Sequence, residues 1–213
     1  MTSGRLAGKR ALITGGGRGI GFAIARAFIA EGARCAITSR SLDAARTAAD
    51  SLGSDTAIPV ACDVTSDPSV TSMVDEVVQQ LGGVDIVVNN AGGAASGPFA
   101  SHSATAFLET FDLNVAGAVR VIQAFLPDMV ERGQGRIVNI ASTAGLFASP
   151  GQSPYNTSKH ALVGLSKCLA LELASTGVTS NAICPGFVET DLLSEVAEFK
   201  ASPWTSSDHN SKR

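Results

Sequence analysis

The chain predicts an α/β fold, a three-layer doubly wound parallel sheet of about six strands. Three observations predict it. Short apolar runs without strict alternation recur along the sequence, as in strands buried on both faces. Each run is followed by a segment with helical periodicity, which calls for crossovers and a parallel sheet with helices on both faces. The first run also passes directly into Gly15-Gly16-Gly17-Arg18-Gly19-Ile20-Gly21, a turn that opens a helix.

Taken in order, Arg10 to Thr14 is the first strand. Helical spacing runs from Ile20 to Ala30, and Gly32 stops that helix. Cys35 to Thr38 is the second strand. Ser41 is placed to cap a helix reaching about Leu52. Ala57 to Ala61 is the third strand, and a helix spans about Asp67 to Leu81. Val84 to Val88 is the fourth strand, leading into Asn89-Asn90-Ala91-Gly92. Gly93 to Ser103 has loop composition. A long helical region follows, Thr105 to Arg132, with Pro127 expected to kink or break it. Arg136 to Ile140 is the fifth strand, a helix runs from Gln152 to about Ser175, and Val178 to Cys184 is the sixth strand.

Composition limits the function classes. A length of 213 residues suits one α/β domain. With 45% hydrophobic and 16% charged residues the chain is globular rather than disordered. A net charge of −3 favours neither nucleic acid nor an anionic membrane as partner. His102, His160 and His209 have no metal spacing, and no metal is expected. Cys35, Cys62, Cys168 and Cys184 form no CxxC pair. Three lie in apolar segments and read as buried thiols in a reducing compartment. Met1 to Arg10 has no apolar signal region and no apolar run reaches membrane-spanning length, so a soluble cytoplasmic protein is expected.

The chemistry lies in a few motifs. Gly15, Gly19 and Gly21 follow a strand and open a helix. There the backbone must turn tightly and approach a pyrophosphate, which a side chain would block. The helix N-terminus adds unpaired N–H groups and partial positive charge. Where the second strand closes, NAD sites place an acidic side chain on the ribose. This chain has Ser39-Arg40, and an arginine can pair with a 2′-phosphate. Arg18 adds a second positive charge, so NADP(H) is expected rather than NAD(H). Tyr155 and Lys159 are four residues apart and share one helix face. A phenol beside an ammonium is expected to titrate below its ordinary value near 10, which suits proton transfer to a carbonyl.

The order and spacing of the glycine turn, Asn89-Asn90-Ala91-Gly92, Ser142 and Tyr155-x-x-x-Lys159 resemble the short-chain dehydrogenase/reductase family, with its Rossmann fold. Gly135-Arg-Ile-Val-Asn-Ile-Ala-Ser142 and Pro185-Gly-Phe-Val-Glu-Thr190 are most similar to 3-oxoacyl-carrier-protein reductases and polyketide ketoreductases. The resemblance implies four catalytic residues: Asn114, Ser142, Tyr155 and Lys159. Ser142 would orient the substrate oxygen, and Asn114 would hold a water that links the lysine to solvent. An asparagine within a helix is poorly suited by propensity, which also predicts a tertiary role. For the cofactor, the resemblance implies Gly15, Gly17, Arg18, Gly19, Ile20 and Gly21 at the phosphates. Asp63 and Val64 would sit at the adenine, Asn90, Ala91 and Gly92 at the ribose, and Pro185, Gly186, Val188 and Thr190 at the carboxamide. Tyr155 and Lys159 complete that set.

Residues 1–199 are expected to form the dinucleotide-binding domain, with a short helix at Asp191 to Phe199. Residues 200–213 read as a disordered polar tail containing Pro203 and Trp204. The family's last strand and helix are expected to be missing. The expected activity is reduction of a 3-oxoacyl thioester or similar ketone to a secondary alcohol, with Tyr155 as general acid. The alternative is a truncated dinucleotide-binding protein with little turnover that acts by association with a longer relative. In both cases the helices at 114–132 and 152–175 are expected to support a homo-oligomer.

Overall fold

The computed structural model describes residues 4–53 and 55–188. The expectations for 189–213, including Thr190, the short helix and the polar tail, lie outside them. Six parallel strands form one sheet: β1 (Arg10–Ile13), β2 (Arg34–Ser39), β3 (Ala57–Ala61), β4 (Ile86–Asn89), β5 (Gly135–Ile140) and β6 (Val178–Ile183). Their order is β3-β2-β1-β4-β5-β6. The chain winds outward from β1 to β3, then returns to the other side of β1 at β4. That reversal opens a crevice at the C-terminal ends of the strands, where ligands bind in such sheets.

The helices are α1 (Gly19–Ala30), α2 (Leu42–Leu52), α3 (Asp67–Leu81), α4 (Ala104–Phe111), α5 (Gly117–Glu131) and α6 (Ser153–Glu172). Strand side chains alternate between faces. Leu12, Val60, Val87 and Ile137 pack with Met73 and Val77 of α3 and with Val121, Ile122, Phe125 and Met129 of α5. Ala11, Ile13, Ile37 and Val88 pack with Ala25 of α1 and with Ala48 and Ala49 of α2 on the other face. Leu162 and Val163 of α6 join Val115, Ala118 and Ala141 in a third cluster.

In the helical region from 104 to 131 the expected break at Pro127 is absent. Pro127 lies inside α5 without breaking it. Its missing hydrogen bond costs about 3 kcal/mol in an unsupported helix. Here the buried face of Val121, Ile122, Phe125 and Met129 holds the helix through it. The irregularity falls instead at Asp112–Ala116, a π-turn between α4 and α5. By length and mean hydropathy the continuous stretch Ala104–Glu131, 28 residues, could cross a membrane, contrary to the sequence reading. Its buried face belongs to the core of this sheet. The thiols also divide differently from expectation. Cys35 and Cys62 are buried, Cys168 is exposed on α6, and Cys184 is half-buried.

A charge cluster closes the N-terminal edge of the sheet. The Asp85 carboxylate accepts from Arg10 N (3.0 Å), Nε (3.1 Å) and Nη2 (2.8 Å), and from Arg132 Nη1 (2.8 Å). Burial alone would raise its pKa. The Arg10 hydrogen bonds and the two guanidinium charges outweigh that and hold it at about 2.

Candidate active site

The candidate residues gather at the opposite edge. Lys159 is buried on α6, and its Nζ donates to the Ile140 carbonyl at the end of β5 (2.8 Å). The ammonium stands 5.7 Å from the centre of the Tyr155 ring, one helical turn earlier. Ser142 follows β5. Its Oγ accepts from Ala144 N (3.1 Å) in the short turn Thr143–Gly145, and the hydroxyl lies close enough to the Tyr155 phenol to favour its ionised form. Three of the four expected catalytic residues thus converge on one point.

The electrostatics differ from the sequence expectation. Burial pushes the Tyr155 phenol up, and only the Ser142 hydroxyl pulls it down. Burial also pushes Lys159 down to about 8, against a small opposing influence from the Cys184 thiol. In the free protein burial thus moves the ammonium toward losing its proton and the phenol toward keeping its own. Near neutral pH both groups hold their protons. That is the state a proton donor needs, with a positive charge beside the phenolate that would form on transfer.

Asn114, the fourth residue, lies in the π-turn and is buried. Its Oδ1 accepts from Gly93 N (2.9 Å), while Nδ2 donates to Gly93 O and to Ser158 Oγ (both 2.9 Å). The side chain therefore joins the loop after β4 to the α6 turn that carries Tyr155 and Lys159. Such π-turns recur at functional sites.

The glycine turn lies across the crevice. Gly15 has φ +63°, a conformation that favours glycine. A Cβ on Gly21 would come within 2.5 Å of both Gly15 O and Asn90 Nδ2. Asn90 Nδ2 donates to Thr14 O and Gly15 O (both 3.0 Å), and Thr14 Oγ1 accepts from Asn90 N and Ala91 N (both 3.0 Å). Asn90 therefore fastens the turn to β4. Thr14 was not singled out in the sequence, although a hydroxyl at the last position of an apolar strand was a visible signal.

The N-termini of α2, α3 and α4 are capped by Ser41, Ser66 and Ser103. At α1 the cap position is Arg18, which supplies no such bond, and the first turn carries no acidic side chain. An uncapped positive helix end beside a glycine turn fits a pyrophosphate. Ser39 closes β2 with its Cβ 3.5 Å from where a Cβ on Gly17 would lie, and Arg40 beside it is exposed. Asp63 titrates below its usual range, held first by the Thr65 N–H and hydroxyl, with lesser help from the Arg40 and Arg120 charges. Val64 is buried, and a Cβ on Gly117 would come within 2.6 Å of its Cγ2, so its side chain faces α5. Ile20 packs against the core and Gly92 passes the Asn114 amide. Pro185 O accepts from Thr143 N (2.9 Å), which brings Pro185 beside the Ser142 turn.

The family model for short chain dehydrogenases matches residues 9–201. The chain belongs to this family. It is 42% identical over 198 residues to the Streptomyces coelicolor protein named "Putative ketoacyl reductase", covering 91% of this chain and 76% of that one. It is 37% identical to the 3-oxoacyl-[acyl-carrier-protein] reductase FabG of Vibrio cholerae, covering 88% of this chain and 76% of that one. Among solved structures, a variant of actinorhodin polyketide ketoreductase crystallised with NADPH superposes with a TM-score of 0.89 at 41% identity, covering 93% of this chain and 78% of that one. The protein is thus a short-chain oxidoreductase, similar in sequence and fold to proteins named as ketoreductases.

Proposed function

We propose that the protein is an NADP(H)-dependent ketoreductase acting on a 3-oxoacyl thioester or a similar ketone. The observation that carries this is the Tyr155 phenol set against the Ser142 hydroxyl, one helical turn from the buried Lys159. When bound, the reduced nicotinamide supplies the hydride. Ser142 donates to the carbonyl oxygen and fixes its position. Tyr155 delivers the proton to that oxygen. Lys159 stabilises the resulting phenolate, and Asn114 keeps the α6 turn and the β4 loop in register. The glycine turn and the α1 N-terminus would hold the pyrophosphate. Asp63 would meet the adenine, and Pro185, Gly186, Val188 and Thr190 would face the carboxamide. Arg40 and Arg18 would hold the 2′-phosphate, and NADPH in the actinorhodin ketoreductase structure supports that choice. Self-association through residues 114–132 and 152–175 is part of the same proposal. Val130 on α5 and Leu171 on α6 supply exposed apolar surface there.

Purified protein mixed with NADPH and a panel of 3-ketoacyl thioesters and small ketones should consume the reduced cofactor. Tyr155→Phe should lower kcat by about 10²–10⁴-fold while cofactor binding is retained. Cofactor binding without turnover on any ketone would favour the dinucleotide-binding alternative, and failure to bind either nicotinamide cofactor would sink both. Arg40→Asp should weaken NADPH binding by about 1.5–3 kcal/mol, the worth of a charge-assisted contact, and leave NADH binding nearly unchanged. Equal losses for both cofactors would remove Arg40 from the phosphate site.

A further inference from the structure

A buried hydrogen-bond chain crosses the molecule beneath the site. Asn89 Nδ2, at the end of β4, donates to Asn139 Oδ1 on β5 (2.8 Å). Asn139 Nδ2 donates to Ser166 Oγ on α6 (2.9 Å), and Ser166 Oγ donates to Leu162 O (2.9 Å). Asn139 is fully buried, and Asn89 and Ser166 nearly so. Three polar side chains in a region that could be wholly apolar need a reason, since each is costly unless satisfied. The chain also has a fixed sense. The Leu162 carbonyl takes the Ser166 proton, so Ser166 accepts from Asn139. That turns the Asn139 oxygen toward Asn89, which must donate.

We infer that Asn139 and Ser166 are positioning residues that lock the rotation and depth of α6, and so place Tyr155 against Ser142 and Lys159 against Ile140. Ser166 is seven residues from Lys159 and eleven from Tyr155, close to two and three full turns, so all three project from one face. Asn139 immediately precedes Ile140, whose carbonyl receives Lys159 Nζ. One short stretch of β5 therefore holds α6 at two levels through directional bonds. Apolar contacts at Leu162 and Val163 lack such direction and would permit a small rotation. At the upper end Gly145 adds a steric stop, since a Cβ there would lie 2.6 Å from Lys159 O. At the lower end the hydrogen bond that Ser166 accepts from Asn139 sets the level.

This inference rests on the ketoreductase reading for its effect on turnover, but its decisive test does not. Tyr155 is the only tyrosine in the chain, so absorbance titration of phenolate reports its surroundings with no cofactor or substrate. Among the described residues the titratable group beside it is Lys159 on α6, which itself lies near Cys184 after β6. Ser166→Ala should move the Tyr155 midpoint by about half a unit or more toward its ordinary value, as the ring loses its fixed burial. It should also lower kcat by about 10- to 100-fold with cofactor affinity unchanged, the scale of a small misplacement of reacting groups. Ser166→Thr, which keeps the hydroxyl, should restore both. Ser180→Ala is the control. That serine is buried on β6 with no hydrogen-bond partner among the described residues, and its loss should change neither readout. A Ser166→Ala titration superimposable on the parent's, equal effects from Ser166→Ala and Ser180→Ala, or no rescue by threonine would each overturn the inference. If the parent reduces no ketone, the functional proposal fails while the titration still decides this one.

Discussion

Two ionisable side chains are buried at opposite ends of the same sheet, and burial leaves them in different electrostatic situations. At the N-terminal edge, Asp85 meets two guanidinium groups and is held ionised, with a pKa of about 2. At the C-terminal edge, Lys159 meets a backbone carbonyl and, among the described residues, no carboxylate, and its pKa falls to about 8. Desolvation disfavours the charge in both cases. The sign of the outcome is set by whether an opposite charge stands within reach. The contrast separates a structural cluster from a functional one. A charge kept buried without a counter-charge costs stability, and such groups collect at active sites.

The largest test of this contrast is Asp85→Asn. Removing the carboxylate takes the acceptor from Arg10 and from one nitrogen of Arg132, which keeps Asp128, and should destabilise the fold by about 2–3 kcal/mol near neutral pH. The sign follows from linkage. The folded pKa is depressed, so the contribution is present above the ordinary carboxylate value and lost as pH falls through about 2. Denaturant titrations of parent and variant should therefore converge in strong acid. The kcat of the folded variant should equal the parent's, because the cluster lies at the far edge of the sheet. A loss under about 1 kcal/mol would mean that the ion pairs behave as exposed ones.

Much of this architecture was legible in the sequence because it rests on local signals. The six strands, the Ser41 cap and the glycine turn each announce themselves within a few residues. Ser142, Tyr155 and Lys159 were legible as motifs, and the structure brings them together. What was missed depends on contacts across long separations. Thr14 acts on Asn90 and Ala91 from a neighbouring strand, and Asn139 acts on α6. Both were visible as polar residues in apolar strands, but their partners were not. Pro127 does not break α5, where a buried face outweighs local propensity, while the irregularity at Asp112–Ala116 is anchored by Asn114, whose poor helix propensity was its one trace in the sequence. Cys168 sits in an apolar segment yet points outward from α6, and only packing decides that. The Tyr155 titration was misjudged for the same reason. Spacing shows that lysine and tyrosine share a face, but the depth of burial pushes the phenol up and the ammonium down.

The smaller test has the opposite sign and is the sharper one. Lys159→Met removes a buried ammonium whose charged form is disfavoured, so the substitution should abolish turnover yet relieve the fold. The fall from 10.5 to about 8 corresponds to about 3 kcal/mol of penalty below the lower value. Against it stands the Ile140 carbonyl left without its donor, about 1–3 kcal/mol at any pH. Parental stability should rise with pH through the interval between the folded and unfolded lysine values, since the unfolded chain binds the extra proton there. The methionine variant should lack that rise. It should be as stable as the parent or more so near neutral pH, and less stable once the parent's lysine is neutral in both states. Thermal or denaturant unfolding across that interval measures the crossing. Parallel curves would show that Lys159 folds without an electrostatic penalty, and the contrast with Asp85 would then be one of position alone.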